Sequence, residues 1–269
     1  MKMETNWATL ELLPASPYSV SGLSSCPSLG LAFARQTGVH AIGSDVRQDF
    51  DAWPGELALG MAGLPLFSES AHGGEYLLMH ITMPALLTAM PTRLPRQIFH
   101  GDKQAVMLAW QLRRLLIQAN PDPLLLQEKA GLFLQRGLDL SNLANLANLA
   151  NMHNTAGSAY ATDRALHGRI LDYIEDQLDT QIHLDELASL AHMPLLRFLR
   201  SFTHATGSTP HTYITERRLQ RARRLLRNSN LSIANIAMDC GFAHQSHLGS
   251  HFQSSLGVSP QQYRKSALM

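Results

Sequence analysis

The stretch Leu184–Tyr213, LDELASLAHMPLLRFLRSFTHATGSTPHTY, recurs about fifty residues later as Ile233–Tyr263, IANIAMDCGFAHQSHLGSHFQSSLGVSPQQY. Leu187-Ala188 aligns with Ile236-Ala237. After one inserted residue in the second turn, Phe198 aligns with Leu248 and Phe202 with Phe252. Gly207, Pro210 and Tyr213 then align with Gly257, Pro260 and Tyr263. The same physical logic runs through both copies. A small alanine after the apolar residue lets two helices cross closely. A glycine ends a helix in the left-handed conformation at least cost. Thr209-Pro210 and Ser259-Pro260 set a capping hydroxyl before a proline at the first helical position. Ser259 with Gln262 also fits a capping box. Each copy therefore reads helix, short turn, helix, stop, new helix. The first two elements form a helix-turn-helix, a scaffold whose second helix can lie in the major groove of DNA.

Charge follows the repeat. The whole chain carries a net charge of +1, yet from Leu187 onward ten Lys and Arg face only two acids, Glu216 and Asp239. The region before is net acidic. A basic end of this kind is the electrostatic footprint of polyanion binding; the alternative is a solvated basic helix face. The first recognition helix is predicted from Pro194 to Thr206, with Leu195, Leu196, Arg197 and Arg200 early and exposed. Arginine can bond two acceptors of guanine, or a phosphate. Leu195 and Leu196 suit thymine methyls, or one of them packs inside. Phe198 and Phe202, four apart, belong to the core. The second recognition helix is predicted from His244 to Ser255, with His244, Gln245, Ser246 and Gly249 on the groove face. Gln245 suits adenine, Gly249 lets backbone approach closely, and His247 buttresses the turn. Ser246 and Ser250 are read as standing where the first helix carries Arg197 and Arg200. Between the copies, Arg217, Arg221 and Arg224 form one stripe of an arginine-rich helix, opposite Ile214, Leu219, Ala222 and Leu226. That stripe suits phosphate contacts, or is a solvated face.

The chain has 269 residues, 45% of them hydrophobic, enough for one or two domains with real cores. Its first hundred residues alternate apolar stretches with Gly and Pro turns such as Trp53-Pro54-Gly55 and His72-Gly73-Gly74. Strands are predicted at Leu29–Arg35, Glu56–Met61 and Tyr76–Thr82, giving a small, mostly antiparallel, cupin-like β unit. Two helices follow, one on Leu108, Leu112, Leu115 and Ala119, the other on Leu126, Ala130, Phe133 and Leu134. Asn-Leu-Ala then occurs three times within Ser141–Asn151, as an extension of that helix or as linker. Met152–Thr162, rich in Asn, Gly, Ser and Ala, reads as linker. The expected fold class is α+β: a β-rich domain with two helices at 1–138, a linker at 139–162 and an all-α domain at 163–269.

Other classes fit less well. Cys26 and Cys240 are too few for a disulfide scaffold and lack metal-ligand spacing. No apolar run of about twenty residues suggests a membrane span, and Met1–Val20 lacks the core of a signal peptide, so a cytoplasmic location is expected. His40, His72, His80 and His100 form no His-x-His pair. There is no G-x-S-x-G, P-loop or C-x-x-C. No catalytic residue, metal site or cofactor is expected. The alternatives are a protein-interaction module acting without an effector and, less favoured, an enzyme in the β-rich part.

The carboxy-terminal part, roughly Asp163 to Lys265, resembles the DNA-binding domain of AraC/XylS regulators. The matching residues are Leu184, Leu187 and Ala188; Phe198, Arg200 and Phe202; and Gly207, Pro210, Tyr213 and Ile214. They continue with Arg218, Ala222, Leu225 and Leu226, then Ile233, Ile236, Ala237, Gly241 and Phe242. Gln245, Ser246 and His247, then Phe252, Gly257, Pro260, Tyr263 and Arg264, complete the set. The resemblance implies seven helices with two helix-turn-helix units joined by a linker helix. It also implies double-stranded promoter or operator DNA as partner and a small-molecule effector or a second copy of the chain at the amino-terminal domain. An activator would engage RNA polymerase as well. One departure stands out: members often carry a basic residue where this chain has Ser250.

Overall fold

The computed structural model describes residues 1–83, 96–118, 120–150 and 157–267. The chain divides into two compact units, Met1–Leu116 with Pro121–Asn154, and Ile117–Asn120 with Thr155–Met269. Among the described residues no helix is long and apolar enough to cross a membrane.

The first unit is built on two antiparallel sheets. Its strands are β1 (Lys2–Glu4), β2 (Ala8–Leu13), β3 (Tyr18–Leu23), β4 (Ser28–Ala32), β5 (Gln36–Ile42), β6 (Gln48–Ala52), β7 (Leu57–Gly60), β8 (Pro65–Ser70), β9 (Tyr76–Ile81) and β10 (Arg96–Phe99). One sheet has the order β1-β2-β9-β4-β7-β10 and the other β3-β8-β5-β6. Side chains alternate across the pleat. On β9, Leu77, Met79 and Ile81 are fully buried, while Tyr76, Leu78 and His80 point the other way. The expected strands correspond to β4, β7 and β9. The others had not been read from the sequence.

Two helices cover the buried face of the six-stranded sheet, α1 (Lys103–Ile117) and α2 (Pro123–Ala150). Helix α2 lies so close that a Cβ on Gly137 would come within 2.8 Å of Leu29 in β4. Gln97 of β10 accepts from Ser141 Oγ and donates to Asn145 at 3.2 Å. Asp102 caps α1 by accepting from the Ala105 N–H at 2.8 Å, and Arg136 of α2 grips the same carboxylate at 3.0 and 2.5 Å. A buried ion pair, Arg113 to Glu75 at 3.3 Å, ties α1 to the start of β9, with the guanidinium 4.8 Å over the Phe33 ring. The expected linker begins differently: residues 139–150 continue α2, because the Asn-Leu-Ala repeat holds no helix breaker. Ala119 and the linker residues 151–156 lie outside the described residues.

From Gly157 the described chain is helical: α3 (Gly157–Asp176), α4 (Leu184–Leu190), α5 (Leu195–Thr206), α6 (Pro210–Asn228), α7 (Ile233–Asp239), α8 (Gln245–Leu256) and α9 (Pro260–Ala267). The repeat positions form the core. Leu187, Ala188, Phe198 and Phe202 of the first copy, and Ile236, Ala237, Leu248 and Phe252 of the second, are all buried. Each copy closes on an edge-to-face pair, Phe202 with Tyr213 at 5.8 Å and Phe252 with Tyr263 at 5.4 Å. Gly207 and Gly257 end α5 and α8 with φ of 73° and 75°. Thr209 Oγ1 accepts from the Thr212 N–H at the start of α6. Ser259 and Gln262 form the reciprocal capping box, at 3.2 and 2.8 Å.

Candidate nucleic-acid interface

The outer faces of α5 and α8 carry the residues left over once the core is assigned. On α5, Leu195 is 36% and Leu196 70% exposed, so neither packs inside. Arg197 and Arg200 are exposed, and neither makes a hydrogen bond or ion pair among the described residues. The helix starts at Pro194, whose side chain offers no cap, so the first-turn N–H groups face outward unpaired by a side chain. On α8, Gln245, Ser246 and Ser250 are exposed, and Ser250 Oγ donates back to the Ser246 carbonyl at 3.0 Å. A Cβ on Gly249 would meet nothing within 4 Å, so nothing inside the fold requires glycine there.

The second helix is organised by histidines. His244 caps it, its Nδ1 accepting from the His247 N–H at 3.1 Å. His247 Nδ1 in turn accepts from the Ala243 N–H at 3.3 Å. That leaves the His247 proton on Nε2, facing His251 Nε2 at 3.0 Å. The Phe242 ring packs edge-on against His247 at 5.5 Å. His247 thus buttresses the turn as its position suggested. The capping role of His244 and the part of His251 had not been read; an imidazole is an uncommon cap, so the usual Ser, Thr, Asp and Asn signal is silent here.

Two expectations need correction. The helices begin at Leu195 and Gln245, and their core residues Phe198/Leu248 and Phe202/Phe252 fix an offset of fifty. Arg200 therefore stands opposite Ser250, but Arg197 stands opposite His247, and Ser246 opposite Leu196. The single inserted residue lies before the helix, in the turn, and shifts the pairing by one from that read in the sequence. The second correction concerns the stripe on α6. Arg221 is half-buried and Arg224 exposed, and neither has a hydrogen bond or ion pair among the described residues. Arg217 is instead bound within the domain, to both oxygens of Glu175 on α3 at 2.5 and 2.9 Å and to Gln220. Its guanidinium positions α6 against α3. Arg218 does similar work, donating to the carbonyls of Leu178 and Thr180 at 2.9 and 2.6 Å.

The family model of the helix-turn-helix domain matches residues 187–266. The transcriptional regulator MtrA of Neisseria gonorrhoeae is 30% identical over 98 residues, covering 36% of this chain and 33% of that protein. The transcriptional activator RhaS of Escherichia coli O157:H7 is 32% identical over 96 residues, 36% of this chain and 34% of that protein. Among solved structures, the DNA-binding domain of AdpA in complex with a target DNA is 33% identical, with a TM-score of 0.37, and the match covers 38% of this chain and 91% of that one. The carboxy-terminal domain of this chain is thus similar to the helix-turn-helix domains of AraC-type transcriptional regulators. The chain spans about a third of the length of the curated relatives it matches.

One position of the AraC/XylS resemblance is structural here. Gly241 holds φ 74° in the turn of the second unit, and a Cβ on it would come within 2.2 Å of the Leu178 carbonyl. Cys240, buried beside it, has its thiol pushed up to about 11 by burial, so it is not a reactive thiolate.

The first unit holds a site that the sequence did not announce. A cavity of about 540 Å³ lies between the two sheets. Its walls are largely apolar, with Leu66 and Phe50 on one side and Ala58 and Leu78 on the other. His40 stacks flat on Phe50 at 5.1 Å, and burial, then the nearby Arg96, holds its imidazole below the usual pKa. Burial pushes the Tyr76 phenol up to about 12. The strands β4, β7 and β9 were legible, but the sequence does not say which residues of other strands face them across the cavity.

Proposed function

We propose that this chain is a sequence-specific DNA-binding regulator of transcription, acting in the cytoplasm. In this reading α5 and α8 enter successive major-groove segments. Helix α6 spans about 28 Å at 1.5 Å per residue, a suitable bridge for segments about 34 Å apart. The carrying observation is the pair Arg197 and Arg200, exposed and without hydrogen bonds or ion pairs among the described residues, on a helix whose opposite face is core. Leu195 and Leu196 sit beside them for thymine methyls, and Gln245, Ser246, Gly249 and His244 offer adaptable contacts from α8. Arg221 and Arg224 serve phosphates. The open space over Gly249 suits a closely approaching DNA backbone.

Residues 163–269 form the DNA-binding domain in this reading, with a seven-helix arrangement. The cupin-like amino-terminal domain binds a small-molecule effector in the cavity between its sheets and supports a homodimer, and the chain is an activator that engages RNA polymerase.

The test is fluorescence-anisotropy binding to the DNA upstream of the chain's own gene, titrated with salt. Each neutralised phosphate contributes a slope of about −0.9 in log affinity against log salt. A steep slope with preference over scrambled DNA supports the reading. A slope near zero, or equal affinity for scrambled DNA, ends it.

A further inference from the structure

The cavity in the first unit has a polar end. Arg96 pairs with Gly60, Gly60 with Ser28, and Ser28 with His80, so these four residues form one continuous row across β10, β7, β4 and β9. All four line the cavity. Gly60 adds no side chain between Arg96 and Ser28 in this row. Among the described residues Arg96 makes no hydrogen bond or ion pair, although it acts electrostatically on both His40 and Tyr76. On the same wall the Glu11 carboxylate lies 4.0 Å from Lys2, whose nearer partner is Glu4 at 3.1 Å. Away from this row the walls are mostly apolar, with Gln36, His40 and Ser68 among their polar members. Gly30 lets the Tyr76 ring lie flat against β4, since a Cβ there would come within 2.3 Å of it.

Arg96 is half-buried, and a cation at the edge of an apolar cavity favours a counter-charge beside it. We propose that the cavity takes an amphipathic organic monoanion, its charged group held at Arg96 with Ser28 and His80, its apolar body against Phe50, Tyr76 and Leu78. This rests on the reading of the cavity as an effector site and gives that site its chemical class. The volume lies within the range of about 300–1,000 Å³ that holds small organic ligands. One guanidinium selects a single negative charge. The Tyr76 phenol, with a pKa near 12, stays protonated and offers a hydroxyl rather than a competing charge. The depressed His40 pKa keeps that ring neutral beside Phe50 at neutral pH.

Calorimetric titration of the full-length protein with 2-naphthoate, 2-naphthamide and 2-naphthylmethylamine separates the cases. The acid is expected to bind at least tenfold tighter than the neutral amide and the cationic amine. Arg96→Gln is expected to erase that preference and leave amide binding as it was, while Arg96→Lys retains part of it. Arg114→Gln, which removes an exposed guanidinium on α1, is expected to change nothing. Equal binding of acid and amide by the wild-type protein, a comparison that needs no variant to fold, overturns the proposal. So does a preference that survives Arg96→Gln. Binding of the amide or amine in preference to the acid leaves the effector site standing and removes its anionic class. Failure of all three probes to bind removes both.

Discussion

The two helix-turn-helix units share a backbone and differ in almost everything that backbone displays. Both put an alanine at the helix crossing, both end the outer helix on a left-handed glycine, and both close on a Phe–Tyr edge contact. Outside that frame the outer helix of the first unit is cationic and starts without a side-chain cap, whereas that of the second carries no Lys, Arg, Asp or Glu and is pinned by His244, His247 and His251. The turns differ as well. His192 in the first unit and Gly241 in the second occupy the same place, four residues after the crossing alanine, with φ of 50° and 74°. The same conformation is tolerated by a side chain in one unit and demands glycine in the other. Packing decides this: the Gly241 turn lies against the Leu178 carbonyl and the Arg218 guanidinium. Duplicated scaffolds thus keep positions that set helix geometry and diverge wherever a neighbour or a ligand differs.

That contrast is sharpest at the turns, where the largest effect is expected. Gly241→Ala must hold a left-handed conformation and also displace a backbone carbonyl 2.2 Å away. A cost of about 3 kcal/mol in stability is expected, from strain of roughly 1–2 kcal/mol plus the clash. His192→Gly relieves strain but adds chain entropy, so it should change stability by no more than about 1 kcal/mol, on the stabilising side. Thermal unfolding of the two variants measures both. Similar losses from the two substitutions would erase the distinction between the turns.

The next largest effect belongs to the cations. Arg200→Ala is expected to lower operator affinity by about 1–3 kcal/mol, roughly 5- to 150-fold, if the arginine reads a base pair. Ser246→Ala should stay within about twofold, since an exposed hydroxyl offers a single adaptable bond. Randomising the operator segment read by α5 should therefore cost more than randomising the segment read by α8. The reverse ranking would show that the histidine-pinned helix, not the cationic one, carries the specificity.

Most of the carboxy-terminal fold was legible because its punctuation is local. Gly207, Gly257, Thr209-Pro210 and Ser259-Pro260 each declare a helix end within four residues, without help from tertiary structure. What failed needed distance or context. Glu175 lies forty-two residues from Arg217, so their pairing has no trace in helical periodicity, and Arg217 looked like its neighbours Arg221 and Arg224. The pairing of Arg197 with Ser246 slipped by one because an insertion can be charged to either side of a turn until the helix start is known. In the first unit, β4, β7 and β9 were visible because buried apolar residues dominate them. Strand β3, YSVSGL, is nearly all exposed or half-exposed and reads as loop. The cavity was invisible for a different reason: its polar row is assembled from four strands.

Acid should separate the units more gently. Burial, together with His247 and His211, holds the His251 imidazole below its usual pKa of 6.5. The Phe242 ring packs on the same histidine at 5.8 Å. The neutral form is thus favoured in the folded state, and its contribution to stability is fully present above about pH 6.5, the unfolded value. It is lost as pH falls through the lower folded value. Amide exchange of α8 is expected to quicken between pH 7.5 and 5.5, after correction for intrinsic rates. Protection in α8 that is constant or rises in acid would mean the histidine chain does not hold the helix.

The smallest effect concerns the position where the two helices match residue for residue, Arg200 against Ser250. Ser250 is exposed, and its hydroxyl turns back to its own helix rather than outward. Its replacement disturbs no core contact, so Ser250→Arg should fold as the parent does. The new guanidinium would project from α8 as Arg200 does from α5. If α5 and α8 both lie in grooves, it would meet a phosphate and steepen the salt slope by about 0.9. Affinity should rise by a few-fold near 0.1 M salt. The discrimination between matched and scrambled sequence in the α8 segment should hardly move, because a phosphate contact carries no sequence information. An unchanged slope would mean that Ser250 does not face the DNA backbone, and that the two units, alike in backbone, dock differently. A gain in sequence discrimination instead would mean that the second helix reaches the base edges at this register, and that serine, by its short reach, is what keeps the second unit tolerant.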